Sequence, residues 1–324
     1  IHKHFQAEPW YEYHPLFREF LLNAARESLS EDDLTTVSRS AAGILEKSGQ
    51  IEAAMSLLKD ISGWEAMAPL IIAHAPLLID QGRYRSLHEW LTSVPDDIMD
   101  RSPWLSYWKA ASLLPFDPTN AKQVFEQTYE RFSSDKDISG ILLCMSGIME
   151  SIQMGYLNLN QYDSWIPIVE KHFTNIKKFP SNEIEARVVD GILIALSLRN
   201  PDHPEIEAWI DRASGLFESD VPVTIQARMI FSIFLYHFYR SDLKGLDHIF
   251  NIMKSFTRTR KLPPISRLLL YLSELYCHTT YANHEMCVEV MKRAMTLSRE
   301  SGVHLLDNAI TMFVVYSYQN ENNM

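Results

Sequence analysis

Glycine is scarce in this 324-residue sequence, 11 in all, and that disfavours a fold of short strands joined by glycine turns. Cysteine is scarcer still. Cys144, Cys277 and Cys287 are too few, and too apolar in their surroundings, for a disulfide framework. With no secretory leader at the start, the expected compartment is a reducing cytoplasm. No uninterrupted apolar run approaches the roughly 18 residues of a membrane helix, so a soluble chain with no membrane partner is expected. Positive charge is also short, with 30 Lys and Arg against 41 Asp and Glu. A net charge of −11 repels a phosphate backbone, and direct nucleic-acid binding by this segment is not expected. The chain has no Gly-x-x-x-x-Gly-Lys-Ser/Thr phosphate loop, no Gly-x-Ser-x-Gly elbow, no His-Glu-x-x-His helix and no paired-cysteine zinc pattern. Neither catalysis nor a cofactor is expected of it.

What is present is helical periodicity. Trp10 to Tyr13 alternates in the manner of a strand and is expected to pair as a hairpin with Ile1 to Phe5, packed on a helix that starts near Pro15. On that helix Leu16, Phe17, Phe20, Leu21 and Ala24 recur at helical spacing and predict a buried face, with Arg18, Glu19, Asn23 and Arg26 opposite. Ser30 with Asp33 three residues later marks a capped helix ending at Gly49. Gly49-Gln-Ile-Glu-Ala-Ala-Met-Ser-Leu-Leu58 is echoed 33 positions on by Gly82-Arg-Tyr-Arg-Ser-Leu-His-Glu-Trp-Leu91. That spacing is near the period of about 34 of tetratricopeptide units, whose helix pairs bury their apolar faces by stacking on neighbours. Further helices are predicted at 104–114, 120–132, 138–156, 162–175, 183–198, 205–217, 224–239, 243–257, 265–280, 285–300 and 305–318, punctuated by prolines. On the penultimate one, Ala294 stands where a small residue permits close packing.

The run Tyr13-His-Pro-Leu-Phe-x-x-Phe-Leu21 after a strand resembles the junction in MalT-like, LuxR-type, ATP-dependent bacterial transcription regulators. The ordered landmarks Gly63-Trp64-Glu65, Gly82-Arg83-Tyr84, Trp90-Leu91, Val94-Pro95 and Pro103-Trp104-Leu105 extend that resemblance to about residue 115. Beyond it only the helical-repeat style continues. The resemblance implies an excised all-α fragment: the tail of a winged helix over 1–30, a right-handed tetratricopeptide-like superhelix over 31–319, and a frayed tail over 320–324. It further implies a sensor that binds an inducer or a protein partner and relays it to an ATPase switch and a DNA-binding output domain outside this segment. An adaptor that recognises a protein or self-associates, with no small-molecule ligand, uses the same kind of concave surface.

Candidate binding residues are aromatic, because aromatic faces offer large contact area at low entropic cost. Phe231, Phe234, Tyr236, His237, Phe238 and Tyr239 surround one predicted helix, and Trp104, Tyr107, Trp108 and Phe116 form a second cluster. The strongest candidates are Phe231, Phe234, His237 and Tyr239, with Trp104 and Trp108 second. If the Phe stripe is core, Tyr236 and Tyr239 are the side chains left to meet solvent or ligand. Cys277, His278, His284 and Cys287 have metal-capable donors, but their spacing matches no standard zinc site and packing explains them better. His2 and His4 share a strand face, and His14 belongs to the junction motif. Arg258, Arg260 and Lys261 read as a solvated basic loop.

Overall fold

The computed structural model describes residues 2–4, 10–12, 14–155, 158–176, 178–217 and 219–321. The chain divides into two compact units, Ile1–Ala73 with Ser93–Ile98, and His74–Thr92 with Met99–Met324.

In the first unit β1 (His2–His4) and β2 (Trp10–Glu12) pair antiparallel, His2 opposite Glu12 and His4 opposite Trp10. The side chains of these strands, and any packing they make, lie outside the described residues. Helix α1 (Pro15–Ser28) begins on its proline, whose missing N–H costs nothing in a first turn. Its predicted buried face is instead open: Leu16 is 71% exposed and Phe20 63%. Periodicity marks a face suited to burial and says nothing of whether a partner element covers it. Helix α2 (Glu31–Lys47) starts as the capping residues require, with the Ser30 hydroxyl accepting the Asp33 amide at 3.2 Å. It packs on α3 (Ile51–Asp60), and α4 (Trp64–Asp80) follows, passing into the second unit after Ala73.

The second unit continues with α5 (Tyr84–Ser93), α6 (Asp96–Met99), α7 (Pro103–Leu113), α8 (Pro118–Asp135) and α9 (Ile138–Met154). A single 3-10 turn leads into α10 (Tyr162–Asn175), followed by α11 (Asn182–Arg199), α12 (Ile206–Leu216) and α13 (Val223–Tyr239). The last four helices are α14 (Leu243–Thr259), α15 (Pro264–Thr280), α16 (His284–Ser301) and α17 (Asp307–Glu321). Arg258 therefore sits in the last helical turn of α14, not in the loop predicted for it.

The layering follows from composition. Helices α9, α11 and α13 are apolar almost all round and bury most of their length, whereas α8, α12 and α14 bury a single stripe. The first set accordingly stacks as an inner layer, α9 on α11, α11 on α13, α13 on α15 and α15 on α17, with even-numbered helices packed outside. Close approach of the layers needs glycine: a Cβ on Gly147 would fall 2.6 Å from the Phe125 ring. The array curls until the Val303 side chain lies 3.5 Å from where a Cβ on Gly82 would stand. Among the described residues no helix is long and apolar enough to cross a membrane.

Candidate functional site

The inner layer of the second unit surrounds a cavity of 410 Å³. Helix α13 lines it with Thr224, Arg228, Phe231, Leu235 and Tyr239, whose spacings of three and four residues keep them on one face. Tyr107, Trp108 and Ala111 from α7, Leu269 and Tyr276 from α15, and Met312 and Phe313 from α17 complete walls that are mostly apolar and aromatic. Trp108 Nε1 is shut off from solvent and has no hydrogen-bond partner among the described residues.

One part of the lining is polar: Asp80, Glu150, Arg187 and Arg228. Arg228 joins three inner helices, with Nη2 2.7 Å from Asp190 Oδ2 and Nη1 on Glu150 Oε1. Asp190 is fully buried and also accepts the Ser232 hydroxyl at 2.5 Å. Burial disfavours the Arg228 charge, but the carboxylates of Glu150 and Asp190 outweigh it and hold the guanidinium above its ordinary pKa. Arg187 is paired on its own helix with Glu183, Nη2 to Oε1 at 2.9 Å. Both guanidinium groups are thus already matched. Asp80 is not: it accepts the Thr224 hydroxyl at 3.3 Å and forms no ion pair among the described residues. Burial raises its pKa in spite of the pull of Arg187. Burial likewise pushes Tyr84, beside it, up to about 12.

Of the aromatic candidates, Phe231, Tyr239 and Trp108 line this cavity together, with Tyr239 46% exposed. Phe231 and Tyr239 face the same cavity. Phe234 is core, its ring centroid 6.0 Å from that of Phe238. Tyr236 corrects the expectation that it meets solvent or ligand: it is 3% exposed and its hydroxyl donates to Glu207, so a neighbouring outer helix satisfies the group a ligand was expected to satisfy. His237 turns away to Asp242, Nδ1 to Oδ2 at 2.9 Å, at the start of α14. Trp104 packs edge-on against Phe132 at 5.0 Å and does not line the cavity. Phe116 stands apart from its predicted cluster, 54% exposed beneath the Arg85 guanidinium. Cys277 and Cys287 are buried, and among the described residues no three His, Cys, Asp or Glu side chains gather as metal ligands.

The polar residues were missed by aromatic reasoning. Their signal is present nonetheless, as charges set among apolar residues: Glu150 after Ser146-Gly-Ile-Met and Arg228 before Met229-Ile-Phe, each the single Asp, Glu, Lys or Arg of its helix, and Asp190 between Val188-Val189 and Gly191-Ile-Leu. A charge at a core position requires a partner, and here the partners are each other.

No family model matches the chain, and no curated protein matches it. Among solved structures it is similar to the apo form of the quorum sensor NprR from B. thuringiensis. The TM-score is 0.58 at 11% identity, over 94% of this chain and 92% of that one. At that identity the likeness is one of fold, and the two chains share an array of stacked helix pairs.

Proposed function

We propose that this chain is the sensor segment of a bacterial transcription regulator, and that the cavity enclosed by its inner helices takes a small amphipathic inducer. The observation that carries the reading is the chemistry of the cavity. Aromatic walls suit a ring-bearing or apolar body, and the unmatched Asp80 suits a cationic or hydrogen-bond-donating head. The segment binds and does not catalyse. The MalT-like landmarks of its first third support a relay to an ATPase switch and a DNA-binding domain elsewhere in the regulator, with β1, β2 and α1 as the end of a winged helix. The fold shared with a quorum sensor is in keeping with such a role.

The test is the inducer response of the full-length protein carrying Tyr239→Ala or Asp80→Asn, read from a reporter gene, beside the melting temperature of each variant. Each is expected to raise the inducer concentration for half-response by at least about tenfold, equivalent to about 1.4 kcal/mol of binding, without loss of melting temperature. A normal response from both folded variants would sink the reading. The exposed apolar face of α1 would then favour the second one, an adaptor or self-association scaffold.

A further inference from the structure

A second cavity, of 250 Å³, lies between α14, α15 and α16, and its charge runs against that of the chain. Four cationic side chains, Lys254, Arg258, Arg267 and Arg293, line it with one carboxylate, Glu274, in a protein whose net charge is −11. Glu274 is already engaged by Arg293 at 3.1 Å, with His278 at 3.8 Å. Lys254, Arg258 and Arg267 form no ion pair among the described residues. The Lys254 ammonium lies 4.1 Å from the centroid of the Phe250 ring.

Solvent screens part of this cluster. Lys254 and Arg258 are exposed, and water accounts for them. It does not account for Arg267, whose Nε is closed off from solvent and has no acceptor among the described residues. Arg267 also stands near the start of α15, where the helix dipole disfavours a cation. Lys254 and Arg258 are four residues apart on α14, a spacing at which like charges repel. Three cations line one cavity, two of them four residues apart on α14 and the third near the start of α15 with a closed-off Nε–H, and an anion offsets both the like-charge repulsion and the unmet donor.

We propose that this pocket binds a phosphate group, free or carried on a small organic molecule, held by the guanidinium groups of Arg267 and Arg258 and the ammonium of Lys254. A doubly charged oxyanion matches three cations better than a single carboxylate does, and the planar forks of the arginines match its oxygens. The site is separate from the inner cavity and does not depend on the sensor reading.

The experiment is thermal unfolding of the purified chain with increasing inorganic phosphate, against sodium chloride at matched ionic strength, followed in parallel by NMR of the arginine Nε–H groups. Phosphate is expected to raise the melting temperature saturably where chloride does not, and to shift the Arg267 Nε–H resonance. Lys254→Gln with Arg258→Gln, both exposed positions, is expected to weaken the phosphate response at least tenfold while the chain stays folded. Arg267→Met is expected to lose the response with an unchanged or higher melting temperature without phosphate, because it removes an orphaned donor. Glucose 6-phosphate and a nucleoside monophosphate distinguish the sources: saturation at lower concentration than inorganic phosphate assigns an organic phosphate, and equal saturation the free ion. Equal effects of phosphate and chloride, or a full response in the double variant, would overturn the proposal. So would a lowered melting temperature of Arg267→Met, which would make that residue a packing element only.

Discussion

Asp80 lines the inner cavity and forms no ion pair among the described residues, and its energetics set a direction that can be measured. Burial raises its carboxyl pKa above the ordinary 3.8. A carboxyl raised on folding is protonated more readily in the native state, so its contribution is complete below 3.8 and is lost as pH rises through the folded pKa. Asn is neutral throughout and keeps an oxygen for the Thr224 hydroxyl. Asp80→Asn is therefore expected to melt higher than the wild type at pH 7, and the two curves to converge below about pH 4. An equal or lower melting temperature at pH 7 would mean that the carboxylate is already compensated. A residue that lowers stability where it stands is what a binding site retains for its ligand. At this scale the aromatic half of the cavity was legible, since Phe231, Tyr239 and Trp108 stand out by residue type. The polar half was not, because Arg228, Glu150 and Asp190 come together only when three separate helices stack.

Helix positions were the most legible feature, for a local reason. α10 spans Tyr162–Asn175 as predicted from its periodicity, and α13 and α14, which start behind Pro222 and the Asp242 cap, lie within two residues of expectation at both ends. The turns between helices were less so. Gly49 and Gly82, the echoed pair, both adopt φ of +75°, each two residues before a helix. Ser62, Lys136, Ser241 and Ala282 take the same left-handed conformation at the same place without being glycine, and glycine-based punctuation passes over them. Ala282 (φ 52°) has no side-chain group to offset the strain, so Ala282→Gly is expected to stabilise the chain by roughly 1 kcal/mol in urea unfolding. The opposite substitution separates turn strain from layer packing. Gly147→Ala puts a methyl 2.6 Å from the Phe125 ring and is expected to destabilise by about 1–3 kcal/mol. If both variants unfold at the wild-type midpoint, neither the turn geometry nor the spacing of α8 and α9 matters as described.

At the scale of the whole molecule, the scarcity of glycine and the helical periodicity already pointed to stacked helices, while the curl that encloses the cavity had no sequence signature. It joins the end of α4 to α13, where Thr224 reaches Asp80, and brings Gly82 close to Val303, pairs more than a hundred residues apart. If the signal binds in this enclosed space, a bulky group on its wall blocks the response, and cysteine chemistry tests that directly. The natural cysteines are buried, and burial pushes the Cys277 thiol up to about 12 and raises that of Cys144, which leaves both poorly reactive. Tyr239→Cys places a reactive thiol at the cavity wall, and Ile252→Cys places one on α14, outside both cavities. The measurement is the inducer response of each full-length variant before and after labelling with a bulky maleimide. Loss of response on labelling at Tyr239→Cys, with none at Ile252→Cys, is the predicted result; a labelled Tyr239→Cys protein that responds as it did unlabelled would contradict it.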